Sequence, residues 1–404
     1  MKNIVIVEGL RTAVGRFGGT IKDFRAQDLG GTVMKAVVEK SGIDPELIDE
    51  VVVGNCHYNG YPGVGRLSLF KAGLPDKIPA QTVERQCASG LLAVATAADM
   101  MQNGNAEVVL AAGAEAMSCI PYFLEGARWG YRAGNKAAYD GFFEGSMRTC
   151  GDVSQWGEYL GQPLSMGVTA ENVARKHNLT REEQDAFALA SHNRAEQAIT
   201  GGKFKNEIVP IEVPQRKKDP LIFDTDEGVR FGMKIDALGK LPAAFVKDGT
   251  VTAGNSSPLN DGASCVLMMA EEKAKELGLK PRLKVGTYTS AGLHPAYMGL
   301  GPVPAINMLF EKTGLKMDDI DLVELNEAFA AQSLGVVKEL NFTEKDMEKV
   351  NVNGGAIALG HALANSGVRL IVSMMNEMER RDAGRGLVSL CVGGGQGMAM
   401  VFER

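Results

Sequence analysis

Two cysteines and one histidine carry the chemistry that the residues themselves suggest. Cys87 stands in Val83-Glu84-Arg85-Gln86-Cys87-Ala88-Ser89-Gly90-Leu91, between a strand-like approach at 78–83 and an Ala-rich, helix-favouring run at 91–101. A thiol at such a strand-to-helix turn lies near unpaired helix N–H groups and the positive end of the helix dipole, and both favour thiolate. Ala88, Ser89 and Gly90 are small enough to let a substrate carbonyl approach. The competing reading is a small buried hydrophobe, the ordinary fate of a lone cysteine. His361 ends the run Val352-Asn353-Gly354-Gly355-Ala356-Ile357-Ala358-Leu359-Gly360-His361, and of five histidines it alone sits on a glycine-rich turn of this kind. An imidazole beside a thiol is one way to remove the thiol proton near neutral pH. Cys391 opens Cys391-Val392-Gly393-Gly394-Gly395-Gln396-Gly397 after a strand at 386–390. Consecutive glycine N–H groups there could hold an oxyanion, with Cys391 beside them as a candidate acid/base. Asn326 and Glu327 end an apolar strand, where they either cap the next helix or fix a catalytic water.

The elements that must bring these groups together repeat. Gly42-Ile43 and residues 48–54 match Gly314-Leu315 and 320–326 at an offset of 272, and the same offset carries Cys87 to Leu359, two residues short of His361. Residues 108–113 match 388–393 at an offset of 280. Alternating helices and short apolar strands predict two duplicated α/β halves with buried mixed sheets. A pseudo-twofold between them would make the turns bearing Cys87 and His361 face each other. The expected division is 1–118 for the first half, completed by 250–270, then an inserted loop domain at 119–249, then 271–404 for the second half. The insertion carries aromatics, among them Trp129, Phe142 and Phe143, and two helices, at 169–177 and 180–200. Thr180 with Glu183 forms a capping box for the second helix. A strand at 208–213 and a polar loop to Asp226 follow. The insertion is expected to lie over the active face as a lid, or to form an oligomer contact.

Composition removes other classes. The 404 residues are 45% hydrophobic and 23% charged, with a formal net charge of −6, so a large core is expected and nucleic acid is not an expected partner. Cys56, Cys87, Cys119, Cys150, Cys265 and Cys391 are scattered without close pairs, which argues against a zinc site or a disulfide framework and for a reducing, cytoplasmic compartment. No apolar run is long enough to span a bilayer, and a first strand is expected from Ile4, so no signal peptide is expected before it.

Taken together, the motifs resemble those of the thiolases, acyl-CoA C-acyltransferases. They are Gln86-Cys87-Ala88-Ser89-Gly90, Met166-Gly167 through Asn172, Gly254-Asn255-Ser256-Ser257 through Gly262, Asn326-Glu327-Ala328-Phe329, Gly360-His361 and Cys391 through Gly397, in order over nearly the whole chain. The resemblance implies the layered αβαβα thiolase fold. It makes Cys87 the acylated nucleophile, His361 its base and Cys391 the acid/base. Asn326, through a water, and His361 would hold the enolate oxygen, and the N–H groups of Cys87 and Gly393 the tetrahedral intermediate. Arg230, Ser257 and Met166 would contact coenzyme A. It further implies acyl-CoA, acetyl-CoA and CoA as substrates and products, no resident cofactor, no metal, and a homodimer or homotetramer. Four departures surround the expected acyl pocket: Glu84 for Asn, Pro258 for Gly, Ala362-Leu363-Ala364-Asn365 after His361, and Ser165 for His. A β-ketoacyl-acyl carrier protein synthase is an alternative, but its partners are usually two His or His and Asn. A non-catalytic acyl-CoA or lipid binder would have no need of a proton shuttle.

Overall fold

One strand order, repeated, accounts for the sequence offsets. In the computed structural model, which describes residues 2–57, 60–142 and 164–404, the first half runs β1 (Ile4–Thr12), α1 (Ala26–Ser41), β2 (Glu50–Gly54), β3 (Ala80–Val83), α2 (Ser89–Gln102) and β4 (Val108–Ala116). The insertion contributes α3 (Met166–Lys176) and α4 (Arg181–Thr200). After it come β5 (Asn260–Ala270), β6 (Leu283–Gly292), α5 (Pro302–Thr313), β7 (Leu322–Leu325), α6 (Ala330–Glu339), α7 (Leu363–Arg381), β8 (Arg385–Val392) and β9 (Gln396–Glu403). In the first half β2 pairs in parallel with β3 and β4, and β4 and then β1 flank β5 in antiparallel fashion. In the second half β7 pairs in parallel with β8, which pairs antiparallel with β9, which pairs antiparallel with β6. The counterpart of β3 is reduced to a single parallel bridge, Val323 to Val350.

The two mixed-sheet halves expected from the sequence are present, and their sheets meet edge to edge. The edge strands β1 and β6, equivalent by the repeat, pair antiparallel at Val5–Lys284 and Ile6–Leu283, giving one sheet with nine strands in the order β7-β8-β9-β6-β1-β5-β4-β2-β3 and two short strands off that path, Gly15–Arg16 on β5 and Ile208–Val209 on β1. Pairing the two edges removes open strand edges that would otherwise need covering. Helices form layers about this sheet. α1 covers the outer face of the first half over a core that includes Leu29, Val33 and Leu110, and α5 covers the second half over Ile306, Leu325 and Val401. Between them α2 and α7 share a central core with Ile6, Val94, Ile371 and Leu390. This is the five-layer arrangement expected.

The central helices cross at two glycines. A Cβ on Gly90 of α2 would collide with the Ala364 carbonyl oxygen, and one on Gly367 of α7 would collide with the backbone nitrogen of Leu91. Those glycines let two helix starts touch, and the starts carry Cys87 and His361.

Within the insertion α4 begins as expected, with Thr180 accepting from the Glu183 N–H at 3.1 Å and Glu183 accepting from the Thr180 N–H at 2.7 Å. The polar loop expected before Asp226 is instead half strand. Residues Ile211–Gln215 and Lys218–Phe223 form a hairpin whose turn is permitted by Lys217 at φ 60°. Its charged side chains point to solvent, which made it read as a loop. The segment is anchored by a buried cluster in which Arg11 binds Glu207 at 2.7 Å and Asp226 through two bonds at 2.7 and 2.9 Å. Phe143, Cys150 and part of the 119–249 insertion lie outside the described residues. No helix of the described chain is long and apolar enough to cross a membrane.

Candidate active site

Cys87 lies in a 3-10 turn, Gln86–Ala88, that runs straight into α2. Gln86 takes φ 45°, a conformation that costs a non-glycine residue free energy, and the surroundings hold it there. The Gln86 N–H donates to Glu84 Oε1 at 2.6 Å, while Ser89 Oγ accepts from the Arg85 N–H at 2.9 Å and donates to the Gln86 carbonyl at 2.7 Å. Glu84, one of the departures noted above, is thus a brace of the nucleophile turn.

His361 follows Gly360, whose φ of 107° and tight contact with the Asn260 side chain admit no Cβ. Its own N–H donates to Asn260 Oδ1 at 2.9 Å. In the ring, Nδ1 lies 2.6 Å from Ser366 Oγ, and Nε2 lies 3.4 Å from Asn326 Nδ2. An amide donor at Nε2 and a hydroxyl at Nδ1 are both satisfied when the proton sits on Nδ1, which leaves Nε2 as the basic nitrogen. Asn326 Oδ1 is buried and has no hydrogen-bond partner among the described residues.

Cys87, His361, Cys391 and Gly393 line one cavity of about 220 Å³. Burial dominates their electrostatics. It pushes the Cys87 thiol up to about 11, against the opposing pull of N–H groups of Gly393 and of Cys87 itself. The sequence expectation that the helix start would favour thiolate is therefore corrected: desolvation outweighs the dipole in this enclosed site. Burial, with Arg369 behind, lowers His361 to about 3, and burial and the nearby Cys87 charge raise Cys391 well above the ordinary thiol range. All three groups rest neutral near pH 7.

Ser257 and Met166 also line this cavity, but Arg230 does not. Arg230 is exposed at an adjacent recess of about 50 Å³ with Arg16 and His192, and Ser256 and Pro258 form walls common to both spaces. Its backbone N–H donates to His192 Nδ1 at 3.2 Å. Pro258 and Leu363, both flagged as departures, stand in the cavity wall, and Ser165 caps α3 by accepting from the Val168 N–H at 3.4 Å.

Several site residues were not singled out from the sequence. Ser366 and Asn260 orient His361. Glu115, at the end of β4, accepts four N–H donors: Asn55 Nδ2 and His57 N at Oε1, Cys56 N and Ala364 N at Oε2, at 3.1 to 3.3 Å. It therefore ties the end of β2 to the first turn of α7. Cys56, His57 and Glu115 have ligand-type atoms within 4.8 Å of one another, a grouping that the scattered cysteine spacing did not reveal. With both carboxylate oxygens doubly occupied by donors, the group is built as a hydrogen-bonded anchor.

Residues 4–272 match the family description "Thiolase, N-terminal domain" and residues 279–404 match "Thiolase, C-terminal domain". The chain is 48% identical to a Pseudomonas aeruginosa protein named acetyl-CoA acetyltransferase, with 100% of both chains covered. It is 44% identical to a Staphylococcus epidermidis protein named probable acetyl-CoA acyltransferase, covering 100% of this chain and 99% of that one. Among solved structures, the Bacillus anthracis acetyl-CoA acetyltransferase superimposes with a TM-score of 0.93 at 42% identity, covering 100% and 99% of the two chains. Human mitochondrial 3-ketoacyl-CoA thiolase in complex with CoA superimposes with a TM-score of 0.91 at 37% identity, covering 100% and 98%.

Proposed function

Because the chain belongs to the thiolase family over 4–272 and 279–404, we propose that its three neutral groups, Cys87, His361 and Cys391, run that family's acyl transfer in the cavity they line. The protein is an acyltransferase that catalyses thiolytic cleavage of a 3-ketoacyl-CoA to acetyl-CoA and a shortened acyl-CoA, or the reverse Claisen condensation. The observation that supports the residue roles is the meeting of two thiols, one imidazole and the Gly393 N–H around a single space.

In the degradative direction the Cys87 proton passes to His361 Nε2 as sulfur attacks the substrate ketone. The C2–C3 bond then breaks, leaving acyl-Cys87 and the enolate of acetyl-CoA, and Cys391 protonates C2. The Cys391 thiolate next takes the proton of an incoming CoA thiol, which attacks acyl-Cys87. The shortened acyl-CoA leaves and Cys87 regains its proton from His361. Two anions need stabilising. The N–H groups of Cys87 and Gly393 suit the tetrahedral oxyanion, and protonated His361 with an Asn326-held water suits the enolate. Each preorganised donor of this kind is worth about 10² to 10³ in rate.

CoA enters as substrate and no resident cofactor is part of this reading. Ser257 and Met166 would meet the pantetheine arm, and Arg230 the adenine end in the adjoining recess. A cytoplasmic homodimer or homotetramer completes the proposal. A carrier-protein condensing enzyme fits less well, because a buried second thiol beside the nucleophile has no use there.

The test is thiolysis of acetoacetyl-CoA followed by loss of its enolate absorbance, with wild type, Cys87→Ser and Cys391→Ala. Wild type should cleave and both variants should fail. Cys391→Ala should still give an acyl adduct on Cys87 from acyl-CoA in intact-mass spectra. No adduct in a folded Cys391→Ala protein would refute the division of roles between the two thiols.

A further inference from the structure

The cavity contains a buried imidazole that the reaction does not use. His57 is 9% exposed and lines the same cavity as Cys87, Cys391 and His361, and its Nδ1 has no hydrogen-bond partner among the described residues. Its Nδ1 is completely shielded from solvent. A polar ring atom left unpaired in a buried site is a standing cost to the free protein. A polar ring on an otherwise apolar cavity wall is kept most readily where a ligand in the cavity pairs with the part of the ring that faces it.

The position of His57 is fixed by the sheet. β2 and β3 are neighbouring parallel strands, and the Asn55 N–H extends their ladder to the Val83 carbonyl at 3.2 Å. The chain leaving β2 therefore delivers Cys56 and His57 beside the chain leaving β3, which delivers Cys87. Cys56 Sγ contacts Gln86 Oε1 at 3.4 Å, directly next to the nucleophile. The His57 backbone is held by Glu115 at 3.2 Å, and its ring rests against Phe142 with centroids 5.4 Å apart. Around it the cavity wall is apolar, formed by Met117, Phe142, Met166, Phe245 and Leu363. Polar side chains that also line the cavity are Ser165, Ser256, Ser257 and Gln86, whose oxygen is already engaged by the Cys56 thiol. Burial holds His57 down to about 4, so it is an uncharged imidazole with one donor and one acceptor at neutral pH.

We propose that His57 is a specificity residue that hydrogen-bonds a hydroxyl or ketone oxygen on the acyl group carried by Cys87, so that the enzyme transfers oxygenated acyl chains in preference to plain alkyl ones. This inference rests on the thiolase reading above. An aliphatic chain would offer the cavity face of the ring no hydrogen-bond partner, and a site built to pair a polar group discriminates against the analogue lacking it. A carboxylate is a poorer match, because a neutral imidazole in an apolar wall offers no counter-charge for it.

The experiment compares kcat/KM for thiolysis of 3-oxohexanoyl-CoA with its 5-hydroxy and 6-hydroxy analogues and with 3-oxoadipyl-CoA, in wild type, His57→Leu and His57→Gln. At least one hydroxylated substrate should exceed the alkyl substrate by about tenfold in wild type, the scale of one buried hydrogen bond. His57→Leu should collapse that ratio to about one or invert it, and His57→Gln should keep most of it. Each ratio is internal to one protein sample, so partial misfolding of a variant does not alter it. Wild type favouring the alkyl or the carboxylate substrate over both hydroxylated ones overturns the inference alone, as does an unchanged ratio in His57→Leu. Failure to cleave any 3-ketoacyl-CoA overturns the thiolase reading and this inference with it.

Discussion

Alkylation of Cys87 should become faster with every unit of pH from 7 to about 10, with no plateau near neutrality. The perturbation is pH itself, and the magnitude follows from burial. A thiol at about 11 is about 0.1% thiolate at pH 8, whereas an unperturbed cysteine at about 8.5 is about one-quarter ionised. Since only the thiolate reacts, Cys87 should be alkylated some two hundred-fold more slowly at pH 8 than a small thiol of equal intrinsic nucleophilicity. His361 does not rescue it at rest, because burial holds the imidazole at about 3, so before substrate enters it is not protonated beside the thiol. The assay is loss of thiolysis activity under excess iodoacetamide at a series of pH values, with the alkylated residue identified by peptide mass. The logarithm of the rate should climb with a slope near one. A sigmoid with its midpoint between 6 and 7 would reveal a resting thiolate–imidazolium pair and would refute the argument that desolvation dominates this site.

Three further outcomes are expected. Ser366→Ala removes the 2.6 Å contact at His361 Nδ1 and should lower kcat by about tenfold with little change in KM, measured in steady-state thiolysis. Gly90→Ala and Gly367→Ala each force a methyl into backbone at the crossing of α2 and α7 and should cost about 1–3 kcal/mol, seen as a lower Tm by calorimetry, whereas Gly239→Ala, with open space around its Cβ, should not. His192 is held down to about 4 by burial first and by Arg230 and Arg16 after it. Its unfolded form takes up a proton below about 6.5 and its folded form does not, so it removes stability as pH falls through that window, about 2 kcal/mol by pH 5. Relative to wild type, His192→Gln should therefore gain about that much between pH 7 and pH 5 in urea unfolding; no change in the difference would show that His192 is not held neutral.

The parts of the structure legible in the sequence are those encoded locally. The turn at Cys87, the capping box at Thr180, the glycine loop after Cys391 and the repeat offsets each depend on neighbours within a few residues, and each has its structural counterpart. What escaped depends on distant partners. The pairing of β1 with β6 involves two residue pairs that no local pattern marks. The hairpin at 211–223 alternates too weakly to separate from a charged loop. Glu115 looks like any acidic residue in an alanine-rich strand, and only the fold gathers four donors around it from two stretches of chain. The helix-start argument for Cys87 named a real effect but lacked the burial that outweighs it. Arg230 stands apart from the cavity because the Ser256 and Pro258 loop comes between them.

The contact between Gly90 and Ala364 has an evolutionary corollary. If an ancestor was a pair of identical single-unit chains, its two-fold axis passed through this meeting of helix starts, and each start presented the same side chain to the other. Fusion of the two copies released them from identity, so one position could become the sulfur and its mate the imidazole. Chemical asymmetry at the centre of a near-symmetric molecule is something a dimer of equal subunits could not have encoded.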